Sequence, residues 1–536
     1  MLIIFGITVS YPSLARYKNR LDINHLLTTT QTWDGTVATS YKKGTGKEED
    51  PYIISNANEL AYFSNMLKTT TYENTYFKLS NDIIINNGTF NYVDNNITYT
   101  LSESTFYVQE YGVDIYDNKE TTGTRITTIN KINPLDNFQG YLDGDHHSIY
   151  GLYITDEAGE KLGLFTNLAG TVKNLYLENV MIYGGHTTAA ISNADGATLE
   201  NIFTSGNIIS TKSNGVDRKI ASITNYSKKK NKRPLSETIN LPAIDATRPI
   251  QKLRLTGTYT STNTPQNVFL NGIEVAPGSI DIDLGTEPIT KLSIEIDSEV
   301  ASTIALKSMY LEVIYKEANA SGIVAEAANT TLTNVINKAN IYSDCFGAGL
   351  IGKATNTSIY NAYNTGTITA VNETAGLVAS IEDSTTKVEL NKLYNNGQLN
   401  GPKTSSFVNT IKNNQEVVIS NAFNLQTAQT QYTTTQTVIL TNVLDVNTST
   451  IAGIEPITDE TAKNKVYCTE TLGFKEYIDT ENLILDSEKV WVYEPGFLPI
   501  LHIDDLNDPI AILNVGTYKF EDIGYELSNL YFANTT

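Results

Sequence analysis

A run of β-branched and small residues that closes on asparagine and a large apolar or aromatic side chain recurs along the chain. The copies are Leu199-Glu-Asn-Ile-Phe203, Leu332-Thr-Asn-Val-Ile336, Ile359-Tyr-Asn-Ala-Tyr363, Leu390-Asn-Lys-Leu-Tyr394 and Ile419-Ser-Asn-Ala-Phe423. Self-similarity at a period of roughly 20–50 residues marks a stacked repeat, in which each unit buries an apolar face against its neighbours. Gly206, Ala339, Gly366 and Gly397 follow the phrase and measure its step. The later three are 27 and 31 residues apart, but Gly206 and Ala339 are 133 apart. A separate module therefore interrupts a regular stack. Ile220-Ala-Ser-Ile-Thr224 reads as the first strand of the interrupted coil, and Ser321-Gly-Ile-Val-Ala325 as the stack resuming.

Inside the interruption, Lys252-Leu-Arg-Leu, Val268-Phe-Leu, Ile280-Asp-Ile-Asp-Leu, Leu292-Ser-Ile-Glu-Ile and Tyr310-Leu-Glu-Val-Ile-Tyr315 alternate apolar and polar residues. Period two predicts half-buried strands, here of an antiparallel β-sandwich over 227–318. Asn271-Gly272 and Pro277-Gly278 supply its turns. Near the other end, Leu60, Phe63, Met66 and Leu67 recur at helical spacing behind Ser55, predicting one amphipathic helix from Asn56 to about Lys68 with Ser55 as its N-cap. Such a helix suits the end of an open β-stack, whose unpaired edges need a cover.

The remaining segments complete the organisation. Residues 1–32 read as a truncated export signal or leader, since Met1–Val9 is apolar but shorter than the roughly 20 residues a bilayer span takes. Residues 33–226 read as the N-terminal part of a β-helix with its capping helix, in which 86–134 fits no period and is an elaborated coil or hairpin insertion. Residues 319–505 form the C-terminal part, with a weak last copy at Val438–Asn442 and Trp491–Leu501 as a closing segment over the last coil. Residues 506–536 begin a further strand-rich unit.

Several of these residues resemble a known family. Trp33-Asp-Gly-Thr-Val-Ala38, then Gly44-Thr-Gly, Asp50-Pro-Tyr-Ile-Ile-Ser55 and Glu59-Leu60, resemble the N-terminal module of bacterial surface proteins that carry GLUG repeats. Ala348-Gly-Leu-Ile-Gly352 and Ala375-Gly-Leu-Val-Ala379 resemble the repeat core, with looser copies at Leu162–Phe165, Ser321–Val324 and Ser405–Val408. The second glycine is lost in most copies. This resemblance implies an all-β chain, a right-handed parallel β-helix of pectin-lyase type, on an exported adhesin or stalk.

Composition narrows the function. With 59 acidic and 38 basic residues the net charge is −21, which argues against nucleic acid or an anionic membrane surface as partner. Lys228-Lys-Lys-Asn-Lys-Arg233 is the one basic run and reads as a solvated linker. Cys345 and Cys468 are too few and too far apart for a zinc site or a disulfide framework, with a single bridge between them as the alternative. Scarce cysteine in an asparagine-rich exported chain suits a Gram-positive-like bacterium, with the protein secreted or at the cell surface.

Parallel β-helices also cleave polysaccharides, so catalysis needs weighing. A glycoside hydrolase needs paired carboxylates on one face, and a lyase needs clustered aspartates with a basic residue. The matched coil positions carry Asn, Thr, Ser and Ala instead. Asp143-Gly-Asp-His-His147 is the densest candidate cluster, and its resemblance to a recurring turn of GLUG-type proteins implies a structural role. Asp281, Asp283 and Glu287, or Asp504, Asp505 and Asp508, could bind Ca²⁺ but lack EF-hand spacing. No HExxH motif is present. The expectation is thus a non-enzymatic surface protein with no catalytic, cofactor-binding or metal-ligating residue assigned and glycans or cell-surface proteins as partners. The membrane is met at most through the N-terminal segment. The alternatives are a β-helical polysaccharide lyase or hydrolase and a phage tail-spike-like structural protein. The 32 tyrosines could form a sugar-stacking flank, though tyrosine also favours strands.

Overall fold

The computed structural model describes residues 33–503, with interruptions chiefly within 94–128, 212–249 and 478–488. The expected leader, the unit after 506 and the group Asp504, Asp505 and Asp508 lie outside the described residues. The chain is nearly all β. From Lys161 onward, most turns of the chain add a strand to each of three parallel sheets, an arrangement compatible with a parallel β-helix. The largest runs through Tyr52–Ile54, Tyr76–Leu79, Tyr141–Tyr150, Thr171–Gly184, Thr198–Ser210, Thr331–Asn337, Ser358–Asn364, Ser384–Asn395, Asn414–Asn424 and Ile439–Asp445.

The recurring phrase is what holds this stack in register. Its first apolar residue points inward, so that Leu199, Leu332, Ile359, Leu390 and Ile419 lie one above another and fully buried. Its asparagine turns a corner: Asn174, Asn201, Asn334, Asn361, Asn421 and Asn442 have φ between 50° and 55°. Asparagine tolerates this left-handed region better than other side-chain-bearing residues. Successive coils then bond through it, Asn174 Nδ2 donating to Asp143 Oδ1 at 2.9 Å, Asn201 to Asn174 at 2.7 Å and Asn334 to Asn201 at 2.9 Å.

A second asparagine ladder runs through the interior. Asn337, Asn364, Asn395 and Asn424 are wholly buried, and each donates through Nδ2 to the next coil, ending on Asp445. Their bulk accounts for the repeated glycine. A Cβ on Gly322, Gly349 or Gly376 would collide with the side chain of Asn337, Asn364 or Asn395 respectively, and with a neighbouring coil's carbonyl. Gly352 is different, because its Cβ would meet the Asn319 side chain, which occurs in one coil alone. That is why the second glycine of the repeat is dispensable elsewhere.

Helix α1 spans Ala57–Leu67. Asn56, rather than the expected Ser55, is its N-cap and accepts from the Glu59 backbone N–H, while Ser55 donates to Glu59 Oε2 through both N and Oγ at 2.8 Å. Leu60, Phe63 and Leu67 are buried in the main core, where the Phe63 ring stacks on Phe77 at 4.4 Å and meets Phe138 edge-on at 5.4 Å.

Two antiparallel insertions interrupt the coils. Thr89–Val93, Asn96–Leu101, Ser104–Val108, Ile115–Asp117 and Arg125–Ile126 form a meander. Between Ser210 and Asn319 lie two further antiparallel sheets whose inward residues, among them Tyr259, Leu270, Ile294 and Leu306, make one apolar cluster. The stack passes this second insertion without loss of register, since Thr187 pairs with Asn319, Ile191 with Val324 and Leu199 with Leu332.

Two details differ from the sequence reading. Arg218–Ile223 pairs antiparallel with Met309–Val313, so Ile220–Ile223 belongs to the inserted sheets and not to an interrupted coil. Small and β-branched residues suit both environments, which is why the pattern misleads there. Of the basic run, Lys228–Lys230 lies in a strand paired with Ser302–Ile304 and is not a linker.

Candidate binding surface on the flank of the stack

The outward residue after each corner builds a ladder of its own. Tyr176, Phe203, Ile336, Tyr363, Tyr394, Phe423 and Leu444 stand in register on the outer face of the largest sheet, and all are buried. Tyr363 and Tyr394 stack at 4.7 Å and Tyr394 and Phe423 at 4.8 Å, with planes within 6° of parallel. The C-terminal segment covers them. Trp491 stacks on Phe474 at 4.3 Å and packs against Tyr363 and Tyr394, while the Tyr394 hydroxyl donates to the Pro499 carbonyl at 2.9 Å. Trp491–Leu501 therefore lies along the side of the coils that carry Tyr363 and Tyr394, rather than only over the last coil. These tyrosines are core, not a sugar platform.

A different part of the flank is open. A cleft of about 500 Å³ lies between the meander strand Thr89–Val93 and the large sheet, lined by Tyr92, Glu178, Asn179, Asn207, Lys338 and Tyr342 among others. The sheet holds the meander strand in place through side-chain amides. Asn179 accepts from the Phe90 N–H at 3.1 Å and donates to the Gly88 carbonyl at 2.6 Å, and Asn207 donates to the Phe90 carbonyl at 3.1 Å. Tyr92 meets Tyr342 edge-on at 4.8 Å. On the floor, Glu178 is buried and accepts a hydrogen bond from Ser148 Oγ. The neighbouring Tyr150 hydroxyl has its pKa raised, chiefly by burial and further by the Glu178 charge. Sequence reading missed this cleft because its residues span 89 to 342 and carry no shared spacing.

The expected candidates separate. In Asp143–His147 every titratable group is engaged structurally. Burial alone would raise the Asp143 carboxyl, yet hydrogen bonds from Asn174 and the Asp145 N–H and the nearby Lys173 ammonium carry it below the usual range. Asp145 pairs with Lys78 at 3.0 Å, His146 Nδ1 lies 2.8 Å from the Tyr176 hydroxyl, and His147 Nδ1 lies 3.2 Å from Asp82 Oδ1. Asp145 and His146 both have positive φ, so the stretch is a strained turn of the stack.

Asp281 accepts from Nε and Nη2 of Arg254, at 2.8 and 2.7 Å, and Asp283 accepts from the Gly285 N–H and faces Lys252 at 3.3 Å. Glu287 is exposed. Among the described residues no three His, Cys, Asp or Glu gather as a metal site. Cys345 and Cys468 are both buried and are not joined in a disulfide. Cys345 Sγ lies 3.1 Å from Asn372 Nδ2, and burial pushes the Cys468 thiol up to about 12. No helix among the described residues is long and apolar enough to cross a membrane.

No family model matches the chain. It is 28% identical over 177 residues to halomucin of Haloquadratum walsbyi, a match covering 33% of this chain and 2% of halomucin. A crystal structure from Bacteroides ovatus, of a protein provisionally named an immunoglobulin A1 protease, aligns with 86% of this chain and 95% of its own. That alignment has 12% identity and a TM-score of 0.38.

Proposed function

We propose that the chain is a non-enzymatic, exported bacterial surface protein, an adhesin or stalk of GLUG-repeat type. On this reading a right-handed β-helix, closed at its N-terminal end by helix α1, displays the inserted domain as a β-sandwich to glycans or cell-surface proteins. One observation carries the reading: the coils on either side of the insertion pair directly, Leu199 on Leu332 and Ile208 on Ile341, so the scaffold is complete without the module it bears. The polar groups in its ladders are amides bonded from coil to coil, which suits mechanical continuity along the stack.

The test sets display against catalysis. The full chain is incubated with polygalacturonate, pectin and a neutral β-glucan, and new reducing ends and unsaturated products are followed. In parallel, binding of the full chain to bacterial and epithelial cell surfaces is compared with that of a chain lacking 212–317. Saturable cell binding that falls when the module is removed, with no turnover, is the expected outcome. Turnover of any of the three polymers overturns the non-enzymatic reading, and cell binding unchanged by the deletion overturns the displayed module.

A further inference from the structure

The flank cleft is built from two elements that share no sequence pattern, yet its chemistry is coherent. Its rim carries the exposed side chains of Thr89, Asn91 and Lys338, and half-buried Asn340 and Tyr342 lie between them. Its floor carries the Glu178 carboxylate. Amides and hydroxyls both donate and accept hydrogen bonds, and tyrosine rings offer flat apolar faces beside a polar tip. The lining has one carboxylate, Glu178, and one ammonium, Lys338, among the described residues, so its formal charge balances. A volume of about 500 Å³ falls within the roughly 300–1,000 Å³ range of small-molecule sites.

We infer that this cleft binds a neutral oligosaccharide, with a sugar ring against the half-buried Tyr342 and hydroxyls bonded to Asn91, Asn340, Glu178 and Lys338. An anionic chain of uronates would meet Glu178 with a single cation to answer it. A substrate awaiting hydrolysis needs a second carboxylate about 5–10 Å from the first, and the described lining offers Glu178 alone. The chemistry is therefore that of retention without cleavage. The amides that fix the meander, Asn179 and Asn207, also hold the cleft at one width, so the ligand meets a preformed wall.

This inference rests on the non-enzymatic reading and adds to it a second binding surface, remote in sequence from the inserted module. The experiment titrates the full chain calorimetrically with maltotetraose and tetra-N-acetylchitotetraose as neutral probes and trigalacturonate as the anionic one. Saturable binding of a neutral probe is expected, weakened at least tenfold by Asn91→Ala and by Tyr342→Ala and unchanged by Arg254→Ala on the inserted sheets. Asn91 is exposed, so its variant keeps the fold even where Tyr342→Ala loosens it, and thermal melts of both check this. No saturable heat from either neutral probe, a preference for trigalacturonate, or undiminished binding by Asn91→Ala would each overturn the inference. Cleavage of a bound probe would instead sink the non-enzymatic reading and leave the cleft as a sugar site.

Discussion

Asn364 donates through Nδ2 to Asn395 Oδ1 at 2.8 Å, with both side chains wholly out of reach of solvent. Asn364 also accepts from Asn337 and closes on its own coil through Gly366 N–H and carbonyl, so all of its polar capacity is used inside the stack. A buried amide left unanswered costs about 1–3 kcal/mol. Asn364→Ala strips partners from Asn337 and Asn395 at once and is expected to lower stability by about 2–4 kcal/mol. Asn442→Ala, in the exposed outer ladder, loses only solvent-screened bonds but puts alanine at φ 52°, and should cost about 1 kcal/mol. Urea unfolding of the two variants compares them directly.

Gly349→Ala tests the link between the interior ladder and the repeated glycine. The added methyl would meet the Gly376 carbonyl oxygen and the Asn364 side chain, both fixed by stacking. Gly196 has φ +70° but open space around it, so Gly196→Ala is strained only in its backbone. Gly349→Ala should lose about 3 kcal/mol or more, and Gly196→Ala about 1 kcal/mol. Equal midpoints in a thermal melt would refute the crowding argument.

His186 gives the stack a pH dependence. Its ring is buried, with Nδ1 3.0 Å from Thr187 Oγ1 and no partner for Nε2 among the described residues. Burial first, then the Lys353 and Lys316 ammonium groups, lower its pKa to about 4 against the opposing pull of Glu326 and Glu160. The unfolded chain binds this proton near pH 6.5, the folded chain only near 4, so the contribution is intact above 6.5 and lost as pH falls toward 4. The loss approaches about 3 kcal/mol at pH 4. A His186→Gln variant should show a flatter stability profile between pH 6.5 and 4, measured by urea midpoints.

Trp491→Ala removes the ring that joins Phe474 to the tyrosine ladder. Truncating a buried tryptophan costs about 3–5 kcal/mol, and here the loss falls on the covering segment. Limited proteolysis should cut within 446–503 far faster in the variant, while the β-sheet circular dichroism of the coils stays unchanged. Cutting at wild-type rate would show that the segment is held by something else.

The inserted sheets stand in place of a very short turn. In the next coil, Ser343, which matches Ser210, reaches Phe346, which matches Asn319, through Asp344 and Cys345 alone. Replacing 211–318 with Asp-Ala should give a folded stack whose melting temperature stays within a few degrees of the parent's first transition. Aggregation or loss of the parallel-sheet signature would mean the module is needed to fold the coils.

The stacked phrase was legible because one residue type does two local jobs, the left-handed corner at Asn201 and its counterparts and the amide bond between coils, and both leave a period in the sequence. The gap between Gly206 and Ala339 was legible for the same reason. The edge of the insertion was not, since Ile220-Ala-Ser-Ile satisfies a coil strand as well as the antiparallel strand it forms. Tyr363 and Tyr394 read as ordinary strand residues, because alternation tells inside from outside but not which outside face a later segment will cover. The cleft beside Tyr92 and Tyr342 left no trace at all, as it arises where a meander folds back on strands that enter the chain long after it.

The carbonyl of His186 accepts both from the Asn319 N–H, where the chain returns from the inserted module, and from Ser210 Oγ, where it departs. Departure and return are thus pinned to one atom. The segment between those two points could be exchanged for another without altering a strand of the parallel stack that carries it.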